Sequence, residues 1–236
     1  MKYVLDAHTH TIVSGHAYST IREMTKMAKE KGLELLCITE HAPALPGAPH
    51  EFYFQNLGVI DRSAYDVPLL LGAEVNLLDT IGTIDLDNET LAKMDLVIAS
   101  IHPPCIGGSM TKEEATNSIL KVMENPHVHI IGHPDDGRFE MNYDDLARVA
   151  KETRTLLEVN NSSLLPTSFR QNAHENYLHL LQACEKYGTH IILNSDAHVD
   201  TSIGRRDIST KIIEAVQFPE ELIVNQSVAL FRSFLT

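Results

Sequence analysis

Positive charge is scarce in this chain: 19 Lys+Arg against 32 Asp+Glu leave a formal net charge of −13 over 236 residues. Such a balance repels a phosphate backbone, so a nucleic-acid polymer is not expected as the main partner. Cysteine is sparse too. Cys37, Cys105 and Cys184 are odd in number and show no CxxC spacing, which argues against a disulfide framework and suits free thiols in a reducing compartment. Cys37 sits in the apolar run LELLCIT and reads as core, whereas Cys105 falls in a loop near His102. No apolar stretch approaches the roughly 20 residues of a membrane span. Linkers, repeats and low-complexity segments are missing as well. The opening MKYVLDAHTH runs directly into a strand pattern, without the apolar segment of a signal peptide. The expectation is one domain over residues 1–236, cytoplasmic and without membrane contact. Self-association is compatible with this reading and not specified by it.

What the chain does have is core material, at 43% hydrophobic residues, and 13 histidines. Strand and helix patterns alternate. Strands are expected at Lys2–Asp6, Glu34–Thr39, Pro68–Ala73, Asp95–Ile101, Val128–Gly132, Leu156–Val159 and His190–Asn194. Helices are expected near Thr20–Lys31, Glu89–Met94, Lys112–Glu124, Tyr143–Thr153, Asn172–Tyr187 and Asp207–Val216. A Pro-rich loop, HAPALPGAPHEF, leads into a weakly helical stretch, a hairpin is expected around Thr83–Leu86, and one more helix closes the C-terminus. Repeated β-then-α units imply parallel strands joined by right-handed crossovers. Runs such as LVIAS and IILN are apolar on both faces, which again means a parallel sheet. A closed or nearly closed barrel follows, with an open doubly wound sheet as the alternative.

Nine candidate metal ligands lie at or just past these strand ends: His8, His10, His16, His41, Glu74, His102, His133, Asp196 and His198. In a barrel, strand C-termini converge on one site, whereas an open sheet would spread them along a line. In Asp6-Ala-His8-Thr-His10, alternation puts both histidines on one face, and Asp6 on the same face one layer lower could orient an imidazole. Asp196-Ala-His198 repeats the spacing with mixed oxygen and nitrogen donors. Glu74 follows the apolar PLLLG run. His102 and His133 each precede proline, which turns the chain after the strand, and His41 repeats the pattern after the second strand. Each alone could be a capping or core residue; together they point to a multinuclear centre of imidazole and carboxylate ligands.

DAHTH, SGH, TEH, GAEVN, SIHPP, IGHPD, LEVNNSS and NSDAH occur in the order found in the PHP (polymerase and histidinol phosphatase) family, and the chain resembles its stand-alone YcdX-like phosphatase branch. The resemblance implies a distorted seven-stranded (β/α)7 TIM-like barrel holding three divalent metal ions, zinc first, with manganese or iron as alternatives. It further implies that His8, His10, Glu74 and Asp196 hold one ion. Glu74 would bridge to a second ion held by His102 and His133, with His16, His41 and His198 holding the third. Glu40 departs from the family, which often has aspartate there; that position is not a ligand.

Such a site suits an anionic substrate, so the expected function is a phosphatase acting on a small phosphorylated metabolite. A metal-bound hydroxide held through His8, His10, Glu74, Asp196 and His198 would attack phosphorus. Arginine is the natural fork for the remaining phosphate oxygens. Arg170, in the loop after the sixth strand, is the first candidate, then Arg205 and Arg206, then Arg138. Asn160 and Asn161 are expected to bond loops or water, His190 to lie at the far end of the barrel, and His50 is a loop histidine on the active face. Other readings are an amidohydrolase-type enzyme, disfavoured because no lysine ends a strand, and a polymerase-associated nuclease. A non-catalytic metal-binding module and a histidinol-phosphate phosphatase complete the alternatives.

Overall fold

A computed structural model describes residues 2–235. Its strands are β1 (Leu5–Asp6), β2 (Leu35–His41), β3 (Leu69–Asn76), β4 (Leu96–Ser100), β5 (Ile130–Ile131), β6 (Leu156–Asn160) and β7 (Ile191–Asn194). The helices are α1 (Ile21–Glu30), α2 (Glu51–Gln55), α3 (Asn88–Leu91), α4 (Lys112–Met123), α5 (Tyr143–Thr153), α6 (Ala173–Tyr187), α7 (Ser209–Ala215) and α8 (Val228–Arg232). All seven strands are parallel and pair in sequence order. Single-step parallel order with a helix after each strand is the topology of a barrel rather than a doubly wound sheet.

Local signals set the helix ends. Thr20 with Glu23 and Thr111 with Glu114 form capping boxes at α1 and α4, each satisfying two otherwise orphaned amides. Gly188, at φ 66°, closes α6, a left-handed position that glycine takes without steric cost.

Alternation along the strands divides the apolar residues into two layers. Leu5, Leu35, Leu70, Leu96, Ile130, Leu156 and Ile192, one per strand, fill the barrel interior. Fully burying each contributes on the order of 2 kcal/mol. The opposite parity, with Leu36, Ile38 and Leu71 against Met24, and Val97 and Ala99 in the cluster of Ile119 and Leu146, packs under the helices. Val224 and Phe231 join the interior cluster with Val228, Leu230, Phe234 and Leu235 against it, so the C-terminal segment plugs the barrel floor.

The barrel is nearly closed. Between β7 and β1 there is no ladder, only the bridge Thr9↔Ala197, with His10 N donating to Ala197 O at 2.8 Å. Lower down, side chains replace the ladder. Asn225 Nδ2 donates to Leu193 O at 2.7 Å and to Leu5 O at 3.4 Å, and its Oδ1 accepts from Leu193 N. Arg206 donates to Leu5 O and Leu193 O.

Three expectations change. Expected strands Lys2–Asp6 and Val128–Gly132 shrink to two-residue β1 and β5, because the chain bends early into the site loops. β2 and β3 run on to His41 and Asn76, so His41 and Glu74 lie within strands rather than past them. The hairpin around Thr83–Leu86 is a single antiparallel bridge, Leu77↔Ile84. Among the described residues no helix is long and apolar enough to cross a membrane.

Candidate metal centre

The interior parity that buries Leu70 carries Glu74 into the top of the barrel, in register beside His41. Around its carboxylate converge imidazoles from four other strand ends. Oε2 lies 3.3 Å from His8 Nε2, 3.5 Å from His10 Nε2 and 2.7 Å from His41 Nδ1. Oε1 lies 2.8 Å from His133 Nε2 and 3.3 Å from His102 Nε2. Asp196 Oδ1 faces His10 Nε2 at 3.3 Å, His198 Nδ1 at 3.5 Å and His8 Nε2 at 3.7 Å. His16 and His198 bring their Nε2 atoms to 3.1 Å, and the His16 ring stacks on His41 with centroids 4.8 Å apart. All nine sequence candidates therefore meet in one place.

Backbone geometry and close packing hold this crowding. His133 (φ 30°) and Asp196 (φ 53°) adopt the left-handed conformation, which is strained for residues with a Cβ and persists only where surroundings fix it. Gly132 lets β5 approach. A Cβ there would lie 2.3 Å from Ser100 Oγ and 3.6 Å from Glu74 Oε1.

A fixed partner behind each ring sets which nitrogen faces inward. His8 Nδ1 donates to Glu158 Oε1 at 2.7 Å, His102 Nδ1 to Asn76 Oδ1 at 2.7 Å, and His198 Nδ1 to the Asp196 carbonyl at 3.0 Å. Each thereby turns an Nε2 lone pair toward the centre. His10 Nδ1 lies 3.3 Å from Ser14 Oγ, which donates to Glu40 Oε2 at 2.5 Å, so Glu40 acts two bonds behind the site. Burial opposes charge on His8, but Glu158, Glu74 and Asp196 outweigh it and raise its pKa well above the usual imidazole range. Burial together with His41 and His198 drives His10 the other way. Glu74 is held well below the ordinary carboxylate range: burial alone would raise it, but His8, His102 and His41 prevail.

The test of fit for a metal is whether buried donors lack partners. His8 Nε2, His10 Nε2, both ring nitrogens of His41, Glu74 Oε2 and Asp196 Oδ1 are buried without a hydrogen bond. Burying such groups unpaired is costly, and these aim at one another. Three sets, His8–His10–Glu74, His41–Glu74–His102 and His10–His41–His198, each gather ligand atoms within 4.8 Å. Imidazole and carboxylate without thiolate suit divalent first-row ions. The donor set fits.

The arginines sort differently from their sequence ranking. Arg170 is nearly buried beside the centre, 3.3 Å from Asp196 Oδ2 and 3.0 Å from Ser163 Oγ. Arg138 also lines the cavity over the site, anchored to Asp136 at 2.5 Å. Arg205 and Arg206 do not line it. Arg205 is exposed and pairs with Asp207, while Arg206 is spent on the carbonyls of the β1–β7 seam. Asp6 also serves the seam region, accepting from Ser195 N at 3.1 Å and Gly204 N at 2.7 Å, so it orients no histidine.

Asn160 Nδ2 donates to Glu158 and Asp196, whereas Asn161 Oδ1 accepts from the amides of Ile208 and Ser209. His50 caps α2 and Cys105 lies beside His102, yet neither lines the cavity. Burial pushes the Cys105 thiol up to about 12, so it offers no thiolate. His190 packs on Phe234 at the barrel floor. Glu158 was missed as a functional residue. Its signal was an acid inside the apolar strand LLEVN, where an unpaired carboxylate has no reason to be buried.

The PHP domain profile matches residues 6–164. A protein of Clostridium novyi (strain NT) named a probable phosphatase is 45% identical over 225 residues, 95% of this chain and 91% of that one. Among solved structures, histidinol phosphate phosphatase from Lactococcus lactis subsp. lactis Il1403, complexed with zinc, L-histidinol and phosphate, superposes with a TM-score of 0.61 at 20% identity. The match covers 93% of this chain and 94% of that one. A chain in the cryo-EM structure of archaeal ribonuclease P with mature tRNA gives 0.59 at 15% identity, covering 98% and 92%. Likeness at such identities shows the shared fold alone. With its profile match and its relative at 45% identity, the chain belongs to the PHP domain family.

Proposed function

We propose that this protein is a metal-dependent phosphatase that hydrolyses small phosphomonoesters, with three divalent ions, zinc foremost, held by the nine converging donors. The observation that carries the reading is the set of orphaned ligand atoms on His8, His10, His41, Glu74 and Asp196 beside the Arg170 guanidinium. His8, His10, Glu74 and Asp196 would hold one ion, Glu74, His102 and His133 a second, and His16, His41 and His198 a third. Bound divalent ions supply Lewis acidity toward water and neutralise the charge of a phosphate ester.

The chain's own residues do the rest. Glu158, Asn76 and the Asp196 carbonyl keep three imidazoles in one tautomer. Arg170, steadied by Ser163, presents a planar fork at the edge of the centre, a geometry matched to phosphoryl oxygens. Its charge complements the developing negative charge on phosphorus without reorganisation. A net charge of −13 supports a small substrate over a nucleic-acid polymer.

Histidinol phosphate, named with the Lactococcus lactis relative, is the second reading. Its cationic amine asks for a carboxylate in the cavity, and the one lining acid, Asp196, already faces Arg170 and three histidines. The reading is tested with zinc- or manganese-loaded protein and a phosphomonoester panel. Wild type releases phosphate, whereas His10→Ala loses bound metal by elemental analysis and at least about 10³-fold in kcat/KM. Full turnover in His10→Ala would overturn it.

A further inference from the structure

Above the metal centre opens a cavity of about 670 Å³, within the range of small-molecule sites. Its walls contrast with its floor. The floor is polar and charged, with His16, His41, Asp196, His198 and Arg170, whereas Leu45, Pro46, Pro103, Pro104, Leu165 and Phe169 make an apolar mouth. Three loops, after β2, β4 and β6, supply these walls independently.

Phe169 is the feature that sets the character of this mouth. Its side chain is 70% exposed, an unusual state for a phenylalanine beside a buried site. Arg138 and Arg170 hold it, with guanidinium carbons 5.0 and 5.6 Å from the ring centroid. Arg138 is in turn gripped by Asp136. The two guanidiniums flank the ring, and most of its surface stays free for another flat group.

The polar groups of the mouth are largely committed. Ser162 Oγ donates to Ser195 O at 2.8 Å, Ser168 Oγ accepts from Arg170 N at 3.2 Å, and Arg138 is paired with Asp136. The Thr167 hydroxyl and the Ser168 proton stay free, too few partners for the several hydroxyls of a sugar or polyol. Poorly compensated desolvation of such hydroxyls weakens binding, while apolar carbon gains from burial.

We propose that the substrate is the phosphomonoester of an alcohol bearing an apolar aromatic ring. The phosphate sits at Arg170 and the ring packs between Phe169 and the proline wall. The inference rests on the phosphatase reading above and deepens it. Hydrolysis breaks the P–O bond to the alcohol, water supplies the new P–O bond and one proton to the leaving oxygen, and inorganic phosphate and the free alcohol result.

The test uses zinc-loaded full-length protein and two probes. Calorimetry compares benzylphosphonate with methylphosphonate, which bind without turnover. Steady-state kinetics compares benzyl phosphate with glycerol 1-phosphate. We expect benzylphosphonate to bind about tenfold more tightly and benzyl phosphate to show a similar advantage in kcat/KM. Phe169→Ala narrows both ratios to within about twofold, whereas Phe52→Ala, an exposed phenylalanine outside the cavity lining, preserves them. Equal binding of the two phosphonates, or a preference that survives Phe169→Ala, overturns the inference. Benzylphosphonate preference without phosphate release from any ester sinks the phosphatase reading alone.

Discussion

Single side chains decide how the centre is presented. Glu158 holds His8 through Nδ1 and also accepts from His133 N at 2.7 Å and Asn194 Nδ2 at 2.8 Å. Glu158→Gln keeps the shape but removes the charge that fixes the imidazole. Metal affinity should fall about 10- to 100-fold, read by competition with a chelating dye; unchanged affinity would show that His8 needs no anchor. Away from the site, His129 accepts from Val97 N at 3.1 Å, and burial with His127 nearby depresses its pKa to about 4. A depressed histidine favours folding while neutral. Its contribution is therefore present above the unfolded value near 6.5 and drains away as pH falls toward 4. Between pH 7 and 4.5 wild type should lose on the order of 2 kcal/mol more than His129→Asn, which keeps an acceptor but does not titrate. Parallel urea curves for the two proteins at both pH values would refute this. Residue types carried most of the site at the sequence level, because imidazoles and acids that follow one apolar run after another are brought together when those runs become barrel strands. The supporting shell was less legible. Asp6 lay two positions before His8 and looked like its anchor, yet the anchor came from β6, a contact that spacing along one strand cannot reveal.

At the level of elements, apolar runs located every strand, while boundaries moved where tertiary demands overrode pattern. β5 is short because the chain turns at His133, with its left-handed φ of 30°, directly after Gly132 N bonds Ala99 O. The arginines show the same limit. Arg205 and Arg206 follow β7 as Arg170 follows β6, but the open edge between first and last strands claims Arg206 for its carbonyls. Nothing in the local sequence announces which edge stays unpaired. Arg206→Met should therefore cost about 2 to 4 kcal/mol, by leaving buried acceptors short of a donor, with the phosphate-binding constant little changed. A large loss of phosphate affinity at unchanged stability would instead restore Arg206 to the site.

Over the whole molecule, the orphaned donors link the stability of the fold to the binding of a divalent ion. Zinc at about 100 times its dissociation constant should stabilise the protein by about 2.7 kcal/mol, seen as a rise in Tm that EDTA reverses. The pH dependence follows from His8. In the metal-free protein its raised pKa contributes stability that is complete below the unfolded imidazole value near 6.5 and fades as pH climbs through the folded value. Cation and proton compete for the same face of the ring, so the Tm gain from zinc should be larger at pH 8 than at pH 6. A gain independent of pH would mean that His8 is not displaced from its proton.

The unzipped edge of the barrel has one more effect. Leu5 and Ala7 both face the interior cluster, yet His8 and His10 also turn inward, so β1 slips its alternation by one residue. A strand laddered on both sides resists such a slip, since its neighbours would have to slip too. Across the gap, Asp196 and His198 lean in from beyond β7, the former with a backbone φ of 53°. Five donors thus follow the two strands that flank the opening, His8, His10 and His16 after β1 and Asp196 and His198 after β7, whereas β2, β3, β4 and β5 deliver one each. More than half of the candidate donors are therefore delivered from the two strands beside the barrel's incomplete seam.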